Sequence, residues 1–336
     1  MTNLSFIIPA YNASSTIVRC LDSIYTLALN ENDFEVIVVD DCSTDNTVTV
    51  IEEYAKLHNN LILLRQKENH RQGAARNRGL EIAKGEFITF VDSDDIILAG
   101  VADALKIAIE SAVDLVYCSC YHEQSPSELI LKEIKMHETQ ILTGVNFCEQ
   151  YQNEGVFWYP WGILYNRQWL TNLHHPFIED RQHEDRDWLA YVMSSAGSVA
   201  NSKSPIYRYV CNPNSTCRLP RYSTVFDHIA SGIRHIDLSK QLAEKCPNLS
   251  ATLYAFGVDE IHKSIRLRNL TKYAFKDNKN FYSDKCIKPL LPDLKRICRD
   301  YKMPKEVVFA VHCPRLMQLL AICVSPIVRF IRTLKH

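Results

Sequence analysis

No charge of one sign dominates this 336-residue chain, in which 39 acidic residues nearly cancel 38 basic ones. Bulk electrostatic attraction to nucleic acid is therefore excluded, and any charge argument has to be made segment by segment. No uninterrupted apolar run reaches the roughly 20 residues that a spanning helix needs. No secretory leader is evident, and the twelve cysteines show neither CxxC spacing nor paired histidines nearby. They read as reduced, mostly buried thiols rather than as a disulfide framework or a zinc site. A cytoplasmic protein is expected from these absences. Internal repeats and low-complexity linkers are also missing. So is either common glycine-rich phosphate cradle: there is no GxxxxGK(S/T), and no GxGxxG follows a strand.

What is present first is an alternation of strand and helix signals. "LSFIIP" is a short apolar strand ending at Pro9, and Ser14 to Leu29 follows with Ile17, Leu21, Ile24 and Leu27 at helical spacing. "FEVIVVDD" reads as a second buried strand, and "STDNT" supplies capping residues for a helix carrying Val48, Ile51, Tyr54 and Ala55. "NLILLR" and "EFITFVD" are two more strands around a helix starting near Gln72, and "DLVYCS" is a fifth after a helix from Leu98 to Ser111. Such alternation predicts an α/β fold with a mainly parallel sheet covered on both faces. Beyond about residue 125 the pattern turns irregular and rich in tryptophan, with Trp158, Trp161, Trp169 and Trp188, and from about 226 it is mostly helical.

In an open parallel sheet, ligands gather at the C-terminal ends of the strands. Three such ends carry polar groups here: Pro9-Ala10-Tyr11-Asn12, Asp40-Asp41 and Asp92-Ser93-Asp94-Asp95. Taken singly, each is equally well a helix cap or a strand terminator. Taken together, the carboxylates repel unless a divalent cation with oxygen ligands, Mg²⁺ or Mn²⁺, relieves them, and such a cation completes its shell with phosphate oxygens and water. Basic side chains for the phosphates are at hand in "RQGAARNRG", with Arg71, Arg76 and Arg78.

In this order, "SFIIPAYNASSTIVRCLDSI", "VIVVDDCSTDNT", "GAARNRGLEIAKGEFITFVDSDD" and "HEDRDW" resemble the motifs of the family-2 glycosyltransferases, inverting enzymes with the Rossmann-like GT-A fold. The resemblance covers about residues 4–210. It implies that Pro9, Ala10 and Tyr11 lie along the nucleotide base, that Asp41 reads the base edge, usually uracil, and that Arg76 approaches the nucleotide. Asp92 and Asp94 fall on the DxD positions, Asp94 as metal ligand and Asp92 as a ribose or metal contact. Asp95 reads as a helix cap or a supporting acid. Cys42 stands where the family commonly has glycine.

Inverting transfer also needs a carboxylate that takes the acceptor hydroxyl's proton. Glu184-Asp185 resembles the family's ED pair, with Asp185 at the position of the base and Glu184 beside the acceptor; by itself the pair is also a solvated helix start. Trp161 is the candidate for stacking on an acceptor sugar, although aromatics at this density commonly form core. Tyr207, Arg208 and Arg218 are placed on a loop able to close on the diphosphate. Residues 1–225 are expected to form the GT-A domain, with 1–120 as the nucleotide-sugar half and 121–225 as the acceptor side. Residues 226–336 form a helical region ending in a basic amphipathic segment. There Leu316, Leu320, Cys323, Ile327, Phe330 and Leu334 share one face, suited either to a membrane surface or to the protein's own core.

The expected activity is metal-dependent transfer of a sugar from a nucleotide-diphospho-sugar, a UDP-sugar foremost, to a glycan or lipid-linked acceptor in surface-polysaccharide or lipopolysaccharide assembly, peripherally on the inner membrane face. A nucleotidyltransferase shares the sheet and the acidic metal site, but "PAYNASST" lacks the basic phosphate loop it requires. A catalytically inactive glycan-binding relative is the other alternative, and retention of Asp41, Asp92, Asp94 and Asp185 argues against it.

Overall fold

A computed structural model describes residues 2–125, 128–151, 154, 159–211, 222–265, 288–301 and 303–312. Trp158, Arg218 and the amphipathic segment from Arg315 onward lie outside the described residues. The chain divides into two compact units, Met1–Ser215 and Thr216–His336.

The first unit opens with β1 (Leu4–Ala10), α1 (Ile17–Tyr25), β2 (Phe34–Asp40), α2 (Thr47–Ala55), β3 (Leu61–Arg65), α3 (Arg71–Ile82) and β4 (Phe87–Phe90). These match the alternation expected from the sequence. Every residue of β1, β2 and β4 is buried, as a strand covered on both faces requires. β5 (Ile96–Ile97), α4 (Val101–Ser111), β6 (Leu115–Ser125), β7 (Glu128–Lys132), α5 (Gly144–Tyr151), β8 (Ile163–Asn166), α6 (Arg167–Asn172), α7 (Asp185–Ser195) and β9 (Val199–Tyr209) follow.

The strands form one sheet in the order β3-β2-β1-β4-β8-β6-β9-β5, with β7 paired to β6. β3, β2, β1 and β4 are mutually parallel, and β6 runs parallel to β9. The remaining pairs, β4 with β8, β8 with β6, β9 with β5 and β6 with β7, are antiparallel. The sheet is thus mixed, and the parallel character expected for the whole belongs mainly to its N-terminal four strands. The reason is β8, a four-residue strand that inserts antiparallel between β4 and β6 after a long excursion of the chain.

Two features of this sheet position the site. The register sets Ala10 opposite Asp40 and Asp40 opposite Arg65, so β1, β2 and β3 end at one level. α3 packs closely because, Arg76 apart, its buried residues Gly73, Ala74, Ala75 and Gly79 are all small. A Cβ on Gly79 would stand 2.4 Å from Cγ2 of Ile7, a separation that side chains do not tolerate. Arg76, one turn before Gly79, is only 2% exposed.

The second unit comprises α8 (Tyr222–Leu242), α9 (Pro247–Ile265), α10 (Leu291–Asp300) and α11 (Lys305–His312) around Phe226, Ile229, Ile236, Ile261, Leu294, Ile297 and Val307. α8 and α9 cross at Gly232 and Gly257, where a Cβ on either would meet the other's carbonyl oxygen at 2.7 or 2.6 Å. Arg296 pairs with both carboxylate oxygens of Asp237 at 2.7 and 2.8 Å. Among the described residues no helix is long and apolar enough to cross a membrane, and no cysteine is in a disulfide.

Candidate active site

The loop after β1 is locked to the loop after β2. Asn12 adopts φ +51°, a region that asparagine enters more readily than most residues. Its Oδ1 accepts from the Thr44 backbone N–H at 2.8 Å, and its own N–H donates to Ser43 Oγ at 2.9 Å. Pro9 and Ala10 end β1 within the sheet, while the ring of Tyr11 is 49% exposed and open to a planar ligand. Asp41 is buried behind this loop, and its N–H donates to the Ala10 carbonyl at 2.8 Å. Oδ1 of Asp41 accepts from Gln66 Nε2 and from the His70 backbone N–H, both at 2.8 Å. Burial raises the Asp41 carboxyl above its ordinary value, opposed by the backbone donors from His70 and Arg71. A cavity of about 380 Å³ opens alongside, lined by Gln66 and His70 together with Arg65, Lys67 and Arg78.

The acidic turn follows β4. The Asp95 backbone N–H closes it onto the Asp92 carbonyl at 3.0 Å. Its three carboxylates have different surroundings. Asp95 is 1% exposed and accepts from Tyr207 Oη at 2.6 Å and from the Val210 N–H at 2.7 Å. Burial, and then the charges of Asp92 and Asp94, hold its carboxyl well above the usual range, which suits a supporting acid rather than a ligand. Asp92 is partly exposed and accepts from Arg76 Nη2 at 2.9 Å. Asp94 is partly exposed, and its backbone carbonyl accepts from Arg19. Burial pushes the nearby Cys20 thiol far up, and the three acids push it further.

Among the described residues no group of three or more His, Cys, Asp or Glu is gathered to hold a metal ion alone. Asp92 and Asp94 nevertheless fit a hard divalent cation that keeps most of its shell for phosphate and water, because both are carboxylates with accessible surface on one turn.

A third segment crosses over α3. Asn77 grips it at Phe177, Nδ2 donating to the carbonyl at 2.8 Å and Oδ1 accepting the N–H at 2.9 Å. The Asp180 N–H donates to the His70 carbonyl at 3.0 Å, and the two side chains meet at 2.9 Å, a contact that raises the His70 imidazole. Glu184 is fully buried and accepts from Arg76 Nη1 at 2.6 Å. Asp185 then begins α7. Asp185 as a residue is partly exposed, while its carboxyl is closely surrounded by protein. Burial, and next the charge of Glu184, push it up to about 7, with Arg76 and Arg186 pulling it down.

The structure therefore brings Asp92, Arg76, Glu184 and Asp185 together, with Tyr11 and Asp41 at the neighbouring strand ends. Four expected placements differ in the structure. Arg76 was expected against the nucleotide, but its guanidinium is enclosed between two carboxylates, with Phe177 5.4 Å away beneath it. Glu184, expected beside the acceptor, has no exposed surface. Trp161, expected to stack on a sugar, is 5% exposed and already stacks on Tyr159 and Tyr207, at 4.6 and 4.4 Å between ring centroids, so no open ring face remains. Tyr207 and Arg208 belong to β9 rather than to a loop: Tyr207 holds the acidic turn, and Arg208 pairs with Glu123 at 2.7 Å. The roles of Gly73, Asn77, His70 and Asp180 went unread. Their one sequence signal is the run of small residues around Arg76.

The profile of glycosyl transferase family 2 matches residues 5–176, just over half of the chain. The chain belongs to glycosyl transferase family 2. It is 29% identical over 223 residues to the uncharacterized glycosyltransferase YibD of Escherichia coli K12, covering 65% of this chain and 64% of that one. It is 30% identical over 231 residues to the uncharacterized glycosyltransferase EpsJ of Bacillus subtilis 168, covering 67% and 66%. The matched region thus spans only about two thirds of those relatives' own length. Among solved structures, S. aureus TarS 1-349 in complex with UDP-GlcNAc is similar with a TM-score of 0.66 at 20% identity, over 98% of this chain and 92% of that one. At that identity the likeness establishes the fold: this family-2 member has the GT-A architecture, with a mixed sheet and flanking helices.

Proposed function

We propose that the chain is an inverting glycosyltransferase that moves a sugar from a UDP-sugar to a hydroxyl of a glycan or lipid-linked acceptor. One observation carries this reading: Asp185, whose carboxyl is pushed up to about 7, begins a helix tied through Glu184 and Arg76 to the acidic turn at Asp92. A carboxylate with that affinity for protons is matched to general-base work near neutrality. The TarS structure similar to this chain is described as a complex with UDP-GlcNAc, which supports a uridine nucleotide as donor.

In this reading Tyr11 offers its exposed ring to the uracil, with Pro9 and Ala10 forming the strand end beneath it, and Asp41, held by Gln66 and His70, accepts from the base edge. Asp92 and Asp94 would hold Mn²⁺ or Mg²⁺, which when bound supplies Lewis-acid stabilisation of the diphosphate. The acceptor oxygen bonds to the anomeric carbon as the bond to the nucleotide's phosphate oxygen breaks. The hydroxyl proton passes to Asp185, and the electron pair leaves with the diphosphate. Attack from the face opposite the leaving group inverts the anomeric centre without a covalent enzyme intermediate.

The test is UDP release from UDP-GlcNAc and UDP-glucose with Mn²⁺, comparing wild type with Asp94→Ala and Asp185→Asn. Loss of Mn²⁺-dependent turnover in both variants is expected, and undiminished turnover in both overturns the assignment. A setting in surface-polysaccharide assembly rests on the family and on the basic amphipathic segment Arg315–His336, which lies outside the described residues. Liposome flotation with and without that segment tests it, and equal binding by both forms removes the membrane contact.

A further inference from the structure

We infer that Arg76 is a positioning residue: a buried cationic strut that fixes Glu184, and through it the neighbouring Asp185, against Asp92 of the acidic turn. The inference rests on the assignment of Asp185 as base, but its structural half can be judged without it.

The guanidinium is 2% exposed on a helix whose other buried residues are Gly73, Ala74, Ala75 and Gly79. A cation is retained in such surroundings only when it is closely paired. Arg76 is paired on both sides, Nη1 donating to Glu184 Oε1 at 2.6 Å and Nη2 to Asp92 Oδ1 at 2.9 Å, while Phe177 lies 5.4 Å from the guanidinium carbon. A planar fork can hold two carboxylates at a set angle, which a lysine's single ammonium cannot reproduce. The partners come from separate elements, Asp92 from the turn after β4 and Glu184 from the residue immediately before α7. The bond to Glu184 therefore fixes the start of the helix whose first residue is Asp185.

The strut also has an electrostatic consequence. Glu184, Arg76 and Arg186 are the charges that act most strongly on Asp185. Removing Arg76 leaves the Glu184 charge uncompensated beside the base, and removing the Glu184 charge does the reverse.

Four full-length variants test the proposal: Arg76→Met, Arg76→Lys, Glu184→Gln and the double Arg76→Met/Glu184→Gln. The first readout is hydrogen exchange of unliganded protein over residues 177–188, which needs no activity. Faster exchange there in Arg76→Met and Glu184→Gln is expected, and wild-type exchange in both overturns the strut. The second is UDP release from UDP-GlcNAc with Mn²⁺ as a function of pH. Misplacing a catalytic group by about 1 Å costs on the order of 100-fold, so Arg76→Met is expected to lower kcat by about that factor while donor KM changes less than about 3-fold. Its acidic limb moves to higher pH, and that of Glu184→Gln to lower pH. Arg76→Lys restores the position of the limb but not kcat. The double variant loses less than the product of the single losses.

A donor KM raised about 10-fold or more with kcat intact would instead make Arg76 a nucleotide ligand. If Arg76→Met does not fold, Arg76→Lys and Glu184→Gln carry the same split between kcat, KM and exchange. Should Asp185→Asn retain full kcat, the base assignment falls, and the exchange data still decide whether the strut exists.

Discussion

Gly73 of α3 lies directly against the carbonyl of Ile178: a Cβ built on it would stand 2.5 Å from that oxygen, and 3.1 Å from Cγ of Glu184. The segment carrying the candidate base thus rests on a helix face that has room for hydrogen only. Gly73→Ala gains up to about 1 kcal/mol of helix propensity, but overpacking against a backbone oxygen costs about 1–3 kcal/mol, and the clash is expected to win. The variant should be less stable by about 1–2 kcal/mol in urea unfolding and should release UDP more slowly. A Gly73→Ala protein as stable as wild type would show that the crossing is looser than described.

Asp185 yields a pH prediction whose sign can be worked out. Its carboxyl titrates near 3.8 when unfolded and is raised to about 7 in the folded chain, by burial first and then by Glu184. Between those values the folded state holds a proton that the unfolded state has released, so this group's contribution to stability falls as pH rises from about 4 to 7. Asp185→Asn has no such titration. Its stability relative to wild type should climb across that window and level off above it, as read from urea unfolding at pH 4, 5, 6, 7 and 8. Activity should run the opposite way, with the wild-type acidic limb of kcat/KM near 7. Parallel stability curves for the two proteins would contradict the shift.

The first four strands and the polar strand ends were legible because each follows from local periodicity: an apolar run, a carboxylate or asparagine, then a helix. β8 was not, since "ILYN" is four residues long and its antiparallel place between β4 and β6 is set by distant partners. Arg76 lies deeper than its sequence surroundings suggest, for a physical reason. An arginine between two others in "RQGAARNRG" looks like part of a basic surface, whereas Gly73 and Gly79, one turn to either side, let neighbouring chain close over it. Trp161 shows the opposite case, since the density of aromatics around it already favoured core, and in the fold it is core.

Cys42 occupies φ +62°, in the left-handed region where a Cβ costs about 1–2 kcal/mol. Its thiol offsets little, reaching the Lys67 carbonyl at 3.6 Å from a partly exposed position. Glycine removes the strain but adds about 0.4–1 kcal/mol of unfolded-state entropy. Cys42→Gly is therefore expected to stabilise the protein by about 0.5–1 kcal/mol, seen as a higher urea midpoint at unchanged m. A lower midpoint would mean that the turn relaxes around the cysteine.

Tyr207 joins the aromatic layer to the acidic turn, and the two contributions can be separated. Its ring stacks on Trp161 at 4.4 Å and 4° between planes, and phenylalanine keeps that contact. Its hydroxyl does two further things, donating to Asp95 Oδ2 at 2.6 Å and accepting the Asp92 N–H at 3.0 Å. Tyr207→Phe leaves Asp95, 1% exposed, with the Val210 N–H at 2.7 Å as its remaining described donor, and deprives the Asp92 N–H of its acceptor. Each buried group left unsatisfied costs about 1–3 kcal/mol, so a loss of about 2–3 kcal/mol is expected with the fold intact. With Asp92 and Asp94 as the proposed metal ligands, a turn held by fewer bonds should also make UDP release require more Mn²⁺, its half-saturation rising several-fold. Urea unfolding and a Mn²⁺ titration of UDP release measure the two effects separately. A stability change below about 0.5 kcal/mol together with an unaltered Mn²⁺ requirement would show that the hydroxyl holds neither the carboxylate nor the turn.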